Sequence, residues 1–260
     1  AVILDVFSQV VLEMNRIAAE GRSKTILVVI LLLAAGVVVA PFFFLPDANE
    51  EDLHALTEQV ILTALGDWDI FNAHGVAMKF AVNVPVSAFV KLPITRMLRE
   101  ARPHAANWPG MVLEVTEDQI IHDLNLANDV AGELRELNCT LALDDFGAGY
   151  SSLARLKQLP FSELKIDRSY VMNCDHDQLN AGLCETIVEL SKRFGLKTVA
   201  EGIETVHESH KLQGIGCQVG QGYLFAKPMP RSQLIGLMSK RLMKSAPVAQ
   251  PVRGMAYVKG

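Results

Sequence analysis

Apolar and polar residues alternate along this chain in short blocks that predict strands and helices in turn. Five apolar runs predict buried strands at 79–84 (KFAVNV), 111–115 (MVLEV), 140–143 (TLAL), 164–166 and 197–200 (KTVA). Helical spacing of apolar residues predicts helices at 50–66, 94–101, 124–137 and 178–194, then a helix from about 205, a strand near Cys217 and a helix from about 231. This alternation predicts βα units around a parallel sheet, and six or seven such units favour one α/β barrel over two domains. We expect a single barrel over residues 1–245 and a loop-like tail over 246–260.

One stretch fits two structures. No residue from Thr25 to Leu45 is charged. As a helix the stretch would be about 30 Å long, enough to cross a bilayer, and basic residues precede it while acidic residues follow it. The alternative is a pair of buried strands joined at Ala34–Ala35–Gly36, because Val, Ile and Phe dominate the run and Pro41 and Pro46 suit loop boundaries. We favour the strands, and a membrane anchor is the alternative.

The hydrophobic content and the net charge of the chain exclude some classes of protein. Half of the 260 residues are hydrophobic and the net charge is -5. Global disorder is therefore not expected, and neither is a protein that holds a nucleic acid polymer through phosphate neutralisation. A small phosphate ligand stays compatible with this charge, because a bound metal ion can supply local positive charge.

The number and spacing of the cysteines and histidines predict neither a zinc site nor a disulfide bond. The four cysteines are Cys139, Cys174, Cys184 and Cys217. They form no CxxC pair, which predicts reduced and mostly buried thiols in a cytoplasmic protein. His207 and His210 share a helix face without a third ligand nearby, so we expect no zinc site. The chain starts at Ala1 without a signal-peptide pattern, and we expect a fragment of a longer protein.

Polar residues suited to catalysis stand at the ends of the predicted strands. They are Asn83, Glu114, Glu117, Asp144, Asp145, Lys165, Asp167, Glu201, Glu204 and Gln221. In a parallel barrel the carboxyl ends of the strands meet on the face where active sites are built, so we expect these side chains to converge. Each alone has a commoner structural explanation, such as an exposed helix face or a turn. Their placement at successive strand ends is what indicates chemistry.

Carboxylates that lie close together at the strand ends need a cation nearby. Buried together, they raise one another's pKa unless a positive charge lies among them. Carboxylate and amide oxygens suit Mg²⁺ or Mn²⁺, and the adjacent Asp144 and Asp145 can reach two ions from one turn. Two hard cations a few ångströms apart are the usual means of displacing an oxygen at phosphorus. The residues therefore indicate a metal-dependent site for a phosphate ester.

Five segments carry a family resemblance. They are LEVTE at 113–117, DDFGAGYSSL at 144–153, LKIDRSYV at 164–171, AEGIET at 200–205 and QGYLFAKPM at 221–229. In order and spacing they resemble the signature segments of EAL-domain cyclic di-GMP phosphodiesterases, over about residues 36–240. The resemblance implies a TIM-like (β/α)8 barrel with one antiparallel strand, and hydrolysis of cyclic di-GMP, a bacterial second messenger, to linear pGpG. It also implies a cytoplasmic signalling protein, an upstream sensory or GGDEF-type domain, and a homodimer formed through the helix near the DDFG loop.

The resemblance further implies roles for individual residues. Asn83, Glu114 and Asp144 would bind one metal ion, and Asp145 would reach the second. Lys165 and Glu201 would position or activate the attacking water. Glu117 would anchor the DDFG loop. The other supporting or substrate-loop positions are Phe146, Gly147, Gly149, Tyr150, Ser151, Asp167, Glu204 and Gln221.

The segment that gives the family its name is missing. Residues 36–46 (GVVVAPFFFLP) resemble the stretch just after that segment, which is a further reason to favour strands over a membrane helix. Counting back places Thr25 where the family has a metal-binding Glu and Val29 where it has a phosphate-contacting Arg. The lost Arg contact is worth about 1.5–3 kcal/mol if it is buried. We expect a degenerate EAL domain, divergent over 1–46, with weak or absent hydrolysis. The alternatives are a non-catalytic cyclic di-GMP receptor and a protein-interaction scaffold.

Overall fold

The structure, a computed structural model, describes residues 27–28, 32–34, 37–40, 43–44, 50–76, 78–116, 124–147 and 160–245. Its strands are β1 (Leu27–Val28), β2 (Leu32–Ala34), β3 (Val37–Ala40), β4 (Phe43–Phe44), β5 (Lys79–Asn83), β6 (Met111–Thr116), β7 (Thr140–Phe146), β8 (Glu163–Ile166), β9 (Lys197–Ala200) and β10 (Val219–Gly220). Its helices are α1 (Glu50–Ala73), α2 (Val86–Lys91), α3 (Ile94–Ala101), α4 (Leu124–Glu136), α5 (Arg168–Val171), α6 (Gln178–Phe194), α7 (Val206–Ile215) and α8 (Arg231–Ser245).

One curled sheet organises the fold. Its strand order is β10-β9-β8-β7-β6-β5-β3-β2, and every neighbouring pair is parallel except β2 and β3. Helices follow the successive parallel strands, as βα units require. The predicted fold class, an α/β TIM-like barrel with an antiparallel strand, is confirmed. The predicted limits, a barrel over 1–245 and a tail over 246–260, stay predictions because both ends lie outside the described residues.

The uncharged run contains strands. β2 pairs antiparallel with β3, and Ala34 is aligned with Val37, so the strands join at the predicted place. β1 and β4 form a separate antiparallel pair, and β3 pairs in parallel with β5. The preference for strands in this run is therefore confirmed where it is described. Among the described residues, no helix is both long enough and apolar enough to cross a bilayer.

The two faces of the sheet differ in character. Phe80, Val82, Leu113 and Leu143 point into the main apolar core under the helices. Successive side chains of a strand point to opposite faces, so the intervening residues share the other face. On that face a small apolar cluster is formed by Ala81, Val112 and Ala142. Two residues further along the same strands stand Asn83, Glu114 and Asp144. The strands therefore present a layer of polar residues beyond a layer of small apolar ones.

Local signals set the helix ends near this face. Asp177 caps α6 by accepting hydrogen bonds from two backbone N–H groups, and Gly195 ends it at φ 70°. Thr205 and Glu208 form a capping box at the start of α7. Glu208 also accepts a hydrogen bond from the backbone N–H of Asn173, 2.9 Å away. This single carboxylate therefore fixes the loop after α5 against the start of α7.

A buried ion pair connects the first and last described helices. Arg231 Nη1 lies 2.6 Å from Asp67 Oδ1, and both side chains are almost fully buried. Burial raises the pKa of Asp67, and the bond to Arg231 opposes that rise. The pair therefore holds α8 against α1.

The cysteines and the short elements complete the fold. All four cysteines are free, and Cys139, Cys174 and Cys184 are buried as predicted. Two short helices, α2 and α5, were not predicted, because six and four residues are too few to show a helical period. The strand predicted near Cys217 contains only two residues, Val219–Gly220.

Candidate active site

Lys165 lies at the centre of the polar layer. Its Nζ is 2.8 Å from Glu114 Oε2, 2.9 Å from Asp144 Oδ1 and 2.5 Å from Glu201 Oε1. The four residues come from or directly follow the adjacent strands β6, β7, β8 and β9. The contact with Glu114 is a hydrogen bond donated by the ammonium, and the contacts with Asp144 and Glu201 are ion pairs. We call Lys165, Glu114, Asp144 and Glu201 the lysine cluster.

A bulge in β7 places two aspartates on the same side. Leu143 is aligned with Leu164 and Phe146 with Ile166, so three steps along β7 match two along β8. The extra residue breaks the alternation that would send Asp144 and Asp145 to opposite faces. Asp145 has φ 53°, in the left-handed region that Asp tolerates better than most residues. Its backbone N–H donates to Asp144 Oδ1 at 3.0 Å, which fixes the turn.

Glu201 has a second partner. The amide of Gln221, a buried residue directly after β10, donates a hydrogen bond to the same Oε1 that Lys165 contacts. Asn83, at the end of β5, is aligned with Glu114 in the parallel ladder. Asn83, Glu114, Asp144 and Lys165 lie on four neighbouring strands, β5 to β8, and Glu201 and Gln221 directly follow the next two, β9 and β10.

The electrostatics of the site follow from burial. Burial opposes the charge on Lys165, but the carboxylates of Glu114, Glu201 and Asp144 outweigh it and raise the pKa of the lysine well above its usual range. Burial also raises the pKa of Glu114 and of Glu201, and Lys165 opposes both rises. Lys165 is therefore held in its charged form, and it partly offsets the effect of burial on the pKa of Glu114 and of Glu201.

Asp145 lacks such a partner. Burial, together with the carboxylates of Asp144 and Asp167, raises its pKa to about 6. An additional cation beside it would reverse this rise.

One group of side chains fits a metal ion among the described residues. Asp144, Asp145 and Glu201 each offer an oxygen, and these oxygens lie within 4.8 Å of one another. Three carboxylates are the donors that hard divalent cations prefer. The donor set therefore fits Mg²⁺ or Mn²⁺.

The supporting positions named by the sequence analysis have different surroundings in the structure. Phe146 is buried in the core, and the carbonyl of Gly147 accepts a hydrogen bond from the Tyr170 hydroxyl. Asp167 caps α5 through the backbone N–H of Ser169, beside Asp145. Glu204 does not join the lysine cluster; it is half-exposed and pairs with Arg168 at 2.5 Å. Glu117, Gly149, Tyr150, Ser151, Thr25 and Val29 lie outside the described residues.

Two residues near the site were not predicted. The Arg168 side chain packs over Gly202, where φ is 67° and a Cβ would overlap it. Tyr170 lies against Gly147, where φ is 100° and a Cβ would overlap the ring. Both residues stand inside the segment LKIDRSYV, but neither is placed at a strand end, which was the signal used.

The fold and the site geometry together define a class: a TIM-like barrel with a group of carboxylates that could hold a metal ion at the carboxyl ends of its strands. The EAL domain model matches residues 26–228, and the chain belongs to the EAL domain family.

Known proteins agree with this membership. The chain is 36% identical over 170 residues to the bifunctional diguanylate cyclase/cyclic di-GMP phosphodiesterase MucR of Pseudomonas aeruginosa, which covers 65% of this chain and 23% of that protein. It is 33% identical over 197 residues to the cyclic di-GMP phosphodiesterase PA2567 of the same organism, over 75% of this chain and 34% of that protein. The solved complex of the PaMucR phosphodiesterase with c-di-GMP superposes with a TM-score of 0.70 and 30% identity, over 86% of this chain and 98% of that chain. The chain thus spans 23% and 34% of the length of these two curated relatives.

Proposed function

We propose that this EAL domain binds cyclic di-GMP and hydrolyses one of its phosphodiester bonds slowly, giving linear pGpG. The observation that carries the proposal is the lysine cluster, in which four adjacent strands bring three carboxylates to one buried ammonium. Relatives named as cyclic di-GMP phosphodiesterases support the choice of nucleotide. The lysine cluster supports a reaction because three buried carboxylates cost stability and a purely structural barrel has no need of them.

Each polar residue has a role in this proposal. Asp144 and Asp145, with Glu201, would hold Mg²⁺ or Mn²⁺, which would supply positive charge to stabilise the reacting phosphate. Glu201 is fixed by Lys165 and Gln221, and we assign it to orient the attacking water and accept its proton. Asn83 and Glu114 stand side by side on β5 and β6.

The low rate follows from the strand beside β5. That strand is β3, whose sequence is Val-Val-Val-Ala, and no residue from Thr25 to Leu45 is charged. Whichever of these residues stands next to Asn83, it brings neither a carboxylate for metal nor an arginine for phosphate. A missing metal ligand weakens cation binding by about 10–100-fold or more.

The second candidate is a receptor that binds cyclic di-GMP without cutting it. The uncharged run favours it, because the lost groups are those of catalysis and phosphate contact, while the lysine cluster is retained. In this case the binding of cyclic di-GMP changes the state of another domain. MucR is named for two activities and is longer than the matched region, and we propose for this chain an upstream sensory or GGDEF-type partner, a homodimer and a cytoplasmic location.

Incubation of the purified chain with cyclic di-GMP and Mg²⁺ or Mn²⁺ tests the proposal. Binding is followed by calorimetry and pGpG by chromatography. We expect binding and slow product formation, and a loss of at least about 100-fold in product rate in Glu201→Gln, as for removal of a general base. Glu189→Gln is the matched control, because Glu189 is exposed on α6 and pairs only with Arg193 one turn away.

Three other results have distinct meanings. If Glu201→Gln formed pGpG at the wild-type rate, Glu201 would not be the residue that accepts the proton of the attacking water. Binding without product from the wild type would identify the receptor. Neither binding nor product, with metal present, would contradict the proposed function and leave an interaction scaffold.

A further inference from the structure

Two cysteine side chains meet where the turn after α5 packs against α6. Cys174 lies in the turn and Cys184 on α6, and both are free and fully buried. The Cys184 thiol donates a hydrogen bond to the backbone carbonyl of Tyr170, 3.4 Å away at the end of α5. It also lies within hydrogen-bonding reach of the Cys174 thiol. The two sulfur atoms are therefore neighbours.

Contacts from two helices hold the turn in this position. The Asn180 side-chain amide, on α6, donates a hydrogen bond to the Met172 carbonyl at 2.8 Å. Glu208, on α7, accepts a hydrogen bond from the backbone N–H of Asn173 at 2.9 Å. Met172 and Asn173 directly precede Cys174, so these bonds keep Cys174 against α6.

Only a short segment separates Cys174 from solvent. Within the turn 172–177, all of which the structure describes, Cys174 alone is buried and its neighbours are exposed. Burial raises the pKa of the Cys174 thiol to about 11 and, together with the nearby Cys174 and Cys217 thiols, that of Cys184 to about 12. Both thiols are therefore protonated and unreactive while the turn is in place. Local opening of the turn exposes Cys174 and removes the cause of its raised pKa.

Cys217 is the competing partner for Cys184. It precedes β10, and its thiol donates a hydrogen bond to the Val219 carbonyl at 3.2 Å and contacts the Thr198 carbonyl at 3.7 Å. These bonds direct Cys217 towards the backbone of β9 and β10. The geometry therefore favours Cys174 as the partner of Cys184.

We infer that Cys174 and Cys184 form a reversible oxidation site, at which a hydroperoxide joins the turn after α5 to α6 through a disulfide. In the opened turn, the Cys174 thiolate attacks the hydroperoxide and the O–O bond breaks. This gives a sulfenic acid and an alkoxide, or hydroxide, that takes up the proton lost by the thiol. When the turn closes, the Cys184 sulfur attacks the sulfenic sulfur, the S–O bond breaks, and water leaves with the proton of Cys184. One hydroperoxide is reduced and two thiols are oxidised. No nucleotide or metal takes part, so the inference does not depend on the proposed function.

Tryptic mapping tests the inference, because both cysteines fall in one tryptic peptide. No Lys or Arg lies between Arg168 and Lys192, whereas Cys217 lies beyond Lys211 in another peptide. The folded chain is treated with hydrogen peroxide, the remaining thiols are alkylated with N-ethylmaleimide in urea, and the peptide masses are measured. We expect the number of alkylated thiols to fall from four to two. The peptide 169–192 should lose two hydrogen atoms and carry no alkyl group, and dithiothreitol added before alkylation should restore both thiols. Oxidation of the exposed Met172 adds an oxygen atom and is distinguished by mass.

Three variants provide the controls. Neither Cys174→Ala nor Cys184→Ala should give a peptide that has lost two hydrogen atoms. Cys139→Ala is the matched control, because Cys139 is equally buried but lies directly before β7, and this variant should still form the disulfide.

Three results would overturn the inference. The first is four alkylated thiols after peroxide treatment of the folded wild type. The second is a peptide cross-linked through Cys217, and the third is a disulfide that forms only when the chain is oxidised in urea. All three come from the wild type, so a variant that does not fold leaves the test intact. A chain that ignores cyclic di-GMP can still form this disulfide, so failure of the proposed function and failure of the inference are separable.

Discussion

Lys165 and Glu201 form the shortest ion pair of the lysine cluster, with Nζ 2.5 Å from Oε1. The pair joins β8 to the residue directly after β9, and Gln221 extends it to the end of β10. The same contacts that arrange the candidate active site therefore tie the carboxyl ends of three strands together. Stability and chemistry depend on the same side chains here.

Replacing Lys165 should destabilise the fold, and more so at high pH. Lys165→Met leaves three buried carboxylates without their cation, which costs about 3–5 kcal/mol when they are charged. Without the lysine the pKa values of Glu114 and Glu201 rise further in the folded state, so stability is lost as pH rises through these values and is regained as the two groups take up protons. Urea unfolding in EDTA at pH 5 and pH 8 measures this.

The control for this prediction is Arg193→Met. Arg193 pairs with Glu189 on the exposed face of α6, and its loss should change the free energy of unfolding by less than about 1 kcal/mol at either pH. An equal loss at pH 5 and pH 8 in Lys165→Met would mean that packing, not charge, explains the effect.

Asp145→Asn should stabilise the metal-free protein at neutral pH. The pKa of Asp145 is raised to about 6 in the folded state, so its charge destabilises the fold increasingly from about pH 4 to about pH 6 and constantly above. Asn removes that cost, about 1–2 kcal/mol, and tolerates φ 53°. Unfolding in EDTA should show the gain at pH 7.5 and little of it at pH 4. If Asp145→Asn were less stable than the wild type at pH 7.5, the charge of Asp145 would not be what destabilises the fold.

Two glycine substitutions should have opposite effects. Gly202→Ala introduces a Cβ into the Arg168 side chain at φ 67°, and we expect a loss of about 1–3 kcal/mol and a weakened Arg168–Glu204 pair. Gly182→Ala lies in α6 with open space around it, and helix propensity predicts a gain of up to about 1 kcal/mol. Thermal and urea unfolding of both variants check the signs. A neutral Gly202→Ala would show that Arg168 moves aside freely.

The Asp67–Arg231 pair should show strong coupling. Arg231→Met leaves the buried Asp67 carboxylate unpaired, and we expect a loss of about 3–5 kcal/mol. In Asp67→Asn/Arg231→Met no charge is buried, so the double variant should be more stable than Arg231→Met alone. A double-mutant cycle measured by urea unfolding gives the coupling energy. If the changes in unfolding free energy of the two single variants add up to that of the double variant, α8 is held to α1 by other contacts.

Much of the site could be predicted because parallel strands end on one face. That rule placed Glu114, Asp144, Lys165, Glu201 and Gln221 at neighbouring strand ends, and the structure brings them together. It failed for Glu204, which also follows β9 but lies far enough beyond it to turn outward to Arg168. Distance from the strand end decides whether a side chain faces the barrel mouth.

Other features leave no local signal. The bulge in β7 depends on how β7 and β8 pair, and no pattern within β7 alone shows that Asp144 and Asp145 share a side. The bond between Asp67 and Arg231 joins residues 164 positions apart, and either residue alone resembles an ordinary surface charge. The sequence predicted a metal among the carboxylates, whereas the structure also places the Lys165 ammonium there.

The imbalance of charge at the barrel mouth has a kinetic consequence. Among the described residues, Lys165 contacts Glu114, Asp144 and Glu201, and the carboxylates of Asp145 and Asp167 lie next to this cluster. An anionic dinucleotide that diffuses toward this face is repelled until a divalent ion enters first. If the proposed function holds, the metal ion should bind before the nucleotide, and the association rate of the nucleotide should rise with Mn²⁺ concentration. In the metal-free protein, added monovalent salt should speed nucleotide association rather than slow it, because it screens the repulsion.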